Sequence, residues 1–122
     1  MGDARHPAGL VVVRMPAELD TTNAEGVGEE LAAAFAPGVW AVVADMTATT
    51  FCDSSAVAML VRTRMRAAGN LAELRLVTRS RAVLRALAIA AVDYSLPIYP
   101  TLAVALIPRS APQALVPGTQ QT

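Results

Sequence analysis

Apolar residues recur along this chain with two periods, and the periods alternate. Leu10-Val11-Val12-Val13, closed by Arg14, is a β-branched run that predicts a strand ending before Pro16. From Asn23 to Phe35, Val27, Leu31 and Phe35 recur every four positions, while Glu25, Glu29 and Glu30 fall elsewhere on the wheel. That spacing predicts an amphipathic helix, stopped by Pro37-Gly38. Val39 to Met46 is nearly continuously apolar, as expected of a strand covered on both faces. A Thr-rich loop, Thr47 to Thr50, leads into Phe51-Cys52-Asp53-Ser54-Ser55-Ala56-Val57-Ala58. The helix that follows, from about Ser54 to Ala68, places Val57, Leu60, Val61, Met65 and Ala68 on one stripe and Arg62 with Arg66 on another. Gly69-Asn70 is its stop signal.

Leu74-Arg75-Leu76-Val77 predicts a third strand. Thr78 or Ser80 opens a further helix with Val83, Leu84, Leu87 and Ala91 as its buried face. Ile98-Tyr99 is a last short strand, and Thr101 caps a final helix reaching Leu106 or Ile107. Strand and helix alternate throughout, which implies an α/β layered domain with mainly parallel strands. In such domains functional groups gather on the loops that leave the carboxyl ends of strands, and the loop before Ser54 is one of these. Residues 9–107 make one domain. Residues 1–8 precede it, with room for no more than a short edge strand. Residues 108–122, rich in Pro, Ser, Gln and Thr, are expected to form a flexible tail.

Composition narrows the function. The 122 residues suffice for a single core, and 54% apolar against 16% charged residues is globular composition. No apolar run approaches the roughly 18 residues of a membrane span, and no leader peptide is visible, so a cytoplasmic protein without a membrane partner is expected. One cysteine, Cys52, excludes an internal disulfide and a multi-cysteine metal site, and it is expected to be a small buried thiol. One histidine, His6, lies in a Pro- and Gly-flanked terminus, where nothing holds it as a catalytic base for Cys52 or a serine. Net charge is zero but divided. Residues 1–55 hold eight acids and two arginines, net −6; residues 56–122 hold eight arginines and two acids, net +6. The two halves are expected to neutralise each other across the fold. With neutral overall charge and few aromatic residues, no nucleic-acid platform is evident. No Gly-rich phosphate loop occurs, and no metal or other cofactor is expected. Asp45 and Asp53 are better explained as turn and cap carboxylates than as metal ligands.

Asp53-Ser54-Ser55 is where chemistry concentrates. Side-chain oxygens of Asp and Ser accept hydrogen bonds from the unpaired amides of a helix's first turn. The same amides and the positive end of the helix dipole also favour an added phosphate. A serine here is a structural cap or a phosphorylation switch, and the residues alone leave both open.

From about Val11 to Leu106 the chain resembles STAS domains, and in particular the small bacterial anti-sigma factor antagonists. The landmarks are Glu18-Leu19-Asp20; Val42-Val43-Ala44-Asp45-Met46 with Phe51-Cys52-Asp53-Ser54-Ser55; Arg66-Ala67-Ala68-Gly69 with Leu74-Arg75-Leu76-Val77; Ala91-Val92-Asp93-Tyr94; and Pro97-Ile98-Tyr99-Pro100-Thr101. The resemblance implies a mixed, mainly parallel sheet of four to five strands with helices on one side. It implies a non-enzymatic protein that binds an anti-sigma factor with a histidine-kinase-like serine kinase fold. That partner would phosphorylate Ser55, and a serine phosphatase would restore it. Asp20, Asp53, Ser54, Ser55 and Ala56 would form the switch loop. Ala56 replaces the family's usual glycine, and its methyl is expected to limit how closely a partner backbone approaches. A non-phosphorylated STAS scaffold in another partner-switching pathway is the alternative, and a homodimer is left open.

Overall fold

A computed structural model describes residues 3–6, 8–92 and 95–108. The elements run β1 (Asp3–His6), β2 (Leu10–Arg14), β3 (Glu18–Leu19), α1 (Ala24–Ala34), β4 (Ala41–Asp45), β5 (Phe51–Cys52) and α2 (Ser54–Gly69). They continue with β6 (Glu73–Val77), α3 (Arg81–Ile89), β7 (Ile98–Tyr99) and α4 (Leu102–Ala105). Five strands form one sheet in the order β1-β2-β4-β6-β7, with β1 antiparallel to β2 and the other neighbours parallel. The short N-terminal strand therefore exists: Asp3 to His6 pair with Val13 to Leu10, so β2 is not an open edge. His6 sits in that strand rather than in a loose terminus. Gly9 makes the hairpin with φ +86, a left-handed conformation, and a Cβ there would meet Gly38 O and Trp40 Cδ1 at 2.8 Å.

Strand alternation divides the core into two layers. Val11, Val13, Val42, Ala44, Leu74 and Leu76 point to one face, where they meet Val27 and Leu31 of α1, Met59 and Leu60 of α2, and Val83 and Leu87 of α3. Leu10, Val12, Ala41, Val43 and Val77 point to the other face, covered by Leu102, Ala105 and Leu106 around α4. The three long helices thus share one side, as expected, and the four-residue α4 covers the other.

Arg75 fastens that second layer. The alternation of β6 places it among apolar residues, and it is buried. Its guanidinium donates to the carbonyls of Ala105 and Ile107 at 2.8 Å each, and its Nε pairs with Glu73 at 2.8 Å. The rings of Trp40 and Tyr99 lie 4.9 and 5.4 Å from it. Paired charge and carbonyl acceptors make its burial tolerable.

Three details depart from the sequence reading. The buried stripe of α2 is Ala56, Val57, Met59, Leu60, Thr63 and Ala67; Val61 is half-buried, and Met65 and Ala68 are exposed. Both stripes obey helical spacing, and the contacts with α1 and β6 selected the one rotated toward Met59. On α3, Val83 and Leu87 are buried and Leu84 is exposed; Ala91, expected on the buried face, lies beyond the helix end and is exposed. Finally, among the described residues no carboxylate of α1 forms an ion pair with an arginine of α2 or α3; the ion pair seen there joins Arg75 to Glu73, both from the second half. Among the described residues the expected neutralisation is not made by direct bridges. The tail expected at 108–122 lies, apart from Pro108, outside the described residues, as do Asp93 and Tyr94.

Candidate functional site

The parallel strands β2 and β4 release two loops at the same end of the sheet. Both loops then form one-step strands of their own: β3 and β5 pair in parallel, Glu18 opposite Phe51 and Leu19 opposite Cys52. Thr49 Oγ1 donates to Pro16 O at 2.8 Å, Thr50 N–H to Ala17 O at 2.8 Å and Asp53 N–H to Leu19 O at 3.1 Å. This ladder sets Asp20 and Asp53, each the residue after its short strand, side by side. Two residues are too few for a periodic signal, so the sequence alone assigns no strand to Phe51-Cys52.

Asp53 is the N-cap of α2. Its backbone is extended, and its Oδ1 accepts the Ala56 N–H at 3.0 Å and the Ser55 hydroxyl at 2.6 Å. Those bonds favour the ionised form and hold the carboxyl below its ordinary value. The Ser55 hydroxyl contributes most, then the Ala56 amide, with smaller contributions from the Ser55 and Thr21 amides. The cap is therefore Asp53 and not Ser54, which is the first helical residue and exposed. Ser55, in the second helical position, is half-exposed.

Asp20 organises the facing turn. Its carboxylate accepts the Thr22 N–H at 2.9 Å, its carbonyl accepts the Asn23 and Ala24 amides at 3.1 and 2.8 Å, and its own amide donates to Asn23 Oδ1 at 3.0 Å. Asn23 Nδ2 donates back to Glu18 O at 2.8 Å. Asp45 makes a similar turn with Thr47. Both acids have turn roles, and among the described residues no group of His, Cys, Asp and Glu could hold a metal ion.

Ala56 is fully buried, so its methyl faces the core and not the surface that a partner would meet. Cys52 is buried beside it, and burial with the neighbouring Asp53 charge pushes the thiol up to about 11. Such a thiol is almost wholly protonated at neutral pH and a poor nucleophile. Phe51 is the residue the sequence reading passed over: it is 48% exposed on β5, next to Asp53. An exposed aromatic beside a polar loop is a feature of interface anchors.

The family model of the STAS domain matches residues 3–105. The chain belongs to the STAS domain family. Solved STAS structures superpose on it closely. An anti-sigma factor antagonist from Mycobacterium paratuberculosis is 29% identical, with a TM-score of 0.76, covering 85% of this chain and 87% of that one. SpoIIAA, an anti-sigma factor antagonist in its unphosphorylated form, is 22% identical with a TM-score of 0.70, covering 86% of this chain and 91% of that one. The Bacillus cell fate determinant SpoIIAA in the phosphorylated form is 18% identical with a TM-score of 0.65, covering 86% and 95%. At their identities the two SpoIIAA structures speak for the STAS fold alone. No curated protein matches the chain by sequence. No helix among the described residues of this STAS domain is long and apolar enough to cross a membrane.

Proposed function

We propose that the chain is an anti-sigma factor antagonist: it binds an anti-sigma factor that is also a serine kinase, and phosphorylation of Ser55 switches the binding off. The observation that carries the reading is the placement of Ser55. It is a half-exposed hydroxyl in the first turn of α2, with its proton directed to Asp53 at 2.6 Å. The Asp20 turn lies alongside through the β3–β5 ladder.

The geometry suits phosphoryl transfer from ATP. The Ser55 oxygen forms a bond to the γ-phosphorus, the bond to the ADP oxygen breaks, and the hydroxyl proton leaves toward a carboxylate of kinase or substrate. Asp53 orients that hydroxyl before the step. Afterwards it can no longer receive the bond, and it faces a group carrying about −1.5 to −2 charges. The first-turn amides of α2 favour the phosphate, while Asp53 already occupies the Ala56 amide. The phosphate is consequently directed outward, toward the partner side of the loop. Binding is lost through repulsion and blocked contact at Asp20, Phe51, Asp53 and Ser54, without refolding of the domain.

On this reading the protein has no catalytic residue, metal or cofactor of its own. It works in the cytoplasm of a bacterium, and a serine phosphatase resets Ser55. Incubation with a cognate anti-sigma factor kinase and ATP yields one phosphate, found on Ser55 by peptide mass spectrometry. Phosphate on Ser54 overturns the residue assignment. No phosphate with a kinase active on another antagonist favours the non-phosphorylated scaffold.

A further inference from the structure

A second surface begins where the Asp53-Ser54-Ser55 run ends. α2 and α3 run side by side and leave an open groove of about 670 Å³ between them, reaching from Ser54 to Val92. Its walls are almost wholly apolar: Val57, Ala58 and Val61 on α2 face Ala86 and Ile89 on α3 and Ala90 at its end. Ile89 is 79% exposed, and Met65, one turn beyond Val61, is 63% exposed. Exposed apolar residues grouped along one groove in this way suit a binding surface.

The rim states the chemistry of the occupant. Arg62 lines the α2 wall, and Arg85 stands one turn before Ile89 on α3. Neither α2 nor α3 contains an acidic residue, and neither arginine pairs with a carboxylate among the described residues. The groove is thus an apolar floor with Arg62 on its wall and Arg85 one turn from Ile89, neither paired with a carboxylate among the described residues. Its walls are two helices, and its apolar positions step at helical intervals over roughly 16 Å from Ser54 to Met65. A third helix fits that shape as in a bundle, with its apolar stripe downward and acids on both flanks.

We infer that the α2–α3 groove docks an amphipathic helix of a partner protein, with aspartate or glutamate flanking the apolar stripe. A second copy of this chain does not dock here through its acidic helix. Its acidic helix, α1, exposes Glu25, Glu29 and Glu30, but its apolar residues Ala24, Val27, Leu31 and Ala34 are buried in its own core. Docking by α1 would set carboxylates against an apolar floor. The inference is independent of Ser55 phosphorylation, and its test leaves Ser55 untouched.

The test selects helical peptides of about 16 residues against the intact protein, from a display library with an apolar stripe and randomised flanks. Selection is expected to enrich Asp and Glu on the flanks. The chosen peptides, used as isolated probes, should perturb the methyl resonances of Val61 and Ile89. They should also lose binding to Ile89→Glu, a substitution at an exposed site that leaves the fold intact. The double variant Arg62→Glu/Arg85→Glu is expected to bind them roughly tenfold more weakly. Enrichment of basic or unpatterned flanks, or undiminished binding by Ile89→Glu, overturns the inference. So does concentration-dependent dimerisation of the free protein that Ile89→Glu abolishes, because a second copy would then be the occupant.

Discussion

Asp53 does two things that substitutions separate. Its carboxylate caps α2 through the Ala56 amide, and it holds the Ser55 hydroxyl. Asparagine caps nearly as well as aspartate, whereas alanine cannot cap. Asp53→Ala is therefore expected to lower Tm by a few degrees at neutral pH, and Asp53→Asn to keep most of that stability. Equal losses in thermal unfolding would contradict the cap. The charge contributes separately. Because the folded carboxyl lies below its ordinary 3.8, its stabilisation is present above 3.8 and is lost as pH falls through the lower folded value. The stability difference between parent and Asp53→Asn is accordingly expected to shrink as pH drops below 3.8. Cys52 behaves in the opposite sense. Its folded value of about 11 lies above the ordinary 9.0, so its contribution is complete below pH 9.0 and fades as pH rises through 11. Iodoacetamide is expected to leave Cys52 unmodified in folded protein at neutral pH and to react once urea unfolds it. Rapid alkylation of the folded chain would contradict the buried thiol. At this scale the sequence was informative about type and less so about division of labour: the run Asp53-Ser54-Ser55 was legible as a helix start, but which oxygen caps depends on backbone angles.

Among the elements, those with a full period are legible from spacing, and of the two-residue strands only β7 is read from the sequence. β2, α1, β4, α2, β6 and α3 stand where hydrophobic spacing places them, Ile98-Tyr99 is the short strand expected there, and Thr101 caps α4 as its residue type suggests. The β3–β5 ladder has two residues per strand, below any periodic signal, yet it aligns the Asp20 and Asp53 loops. The exposed side of α2 was misjudged because Met65 and Met59 are alike in sequence, and tertiary contact decides between them. Arg75 was invisible as a structural residue for a related reason: a charged side chain on a strand predicts solvent, and burial here depends on carbonyls thirty positions or more away. Its importance is measurable. Arg75→Met is expected to cost about 2–4 kcal/mol in urea unfolding, since it leaves the Ala105 and Ile107 carbonyls without their charged donor. It is also expected to shift the emission of Trp40, the single tryptophan. Glu73→Gln removes only the half-exposed partner and is expected to cost less. If the two variants prove equally stable, Arg75 does not hold α4 as described.

For the whole molecule, the zero net charge conceals a division of surfaces. Exposed carboxylates lie on α1, and exposed arginines lie on α2 and α3, without bridges between these helices among the described residues. A charged partner can therefore be distinguished by face, and its association is expected to weaken with added salt. The switch loop and the α2–α3 groove meet at Ser54, so a partner engaging both would span a polar and an apolar surface. On the proposed function, one phosphate at the head of α2 controls partner binding. Calorimetry of the anti-sigma factor against unmodified chain and chain singly phosphorylated on Ser55 measures this most directly. Phosphorylation is expected to lower affinity by at least about tenfold, within the range of typical coupling energies. Equal affinities for the two forms would contradict it.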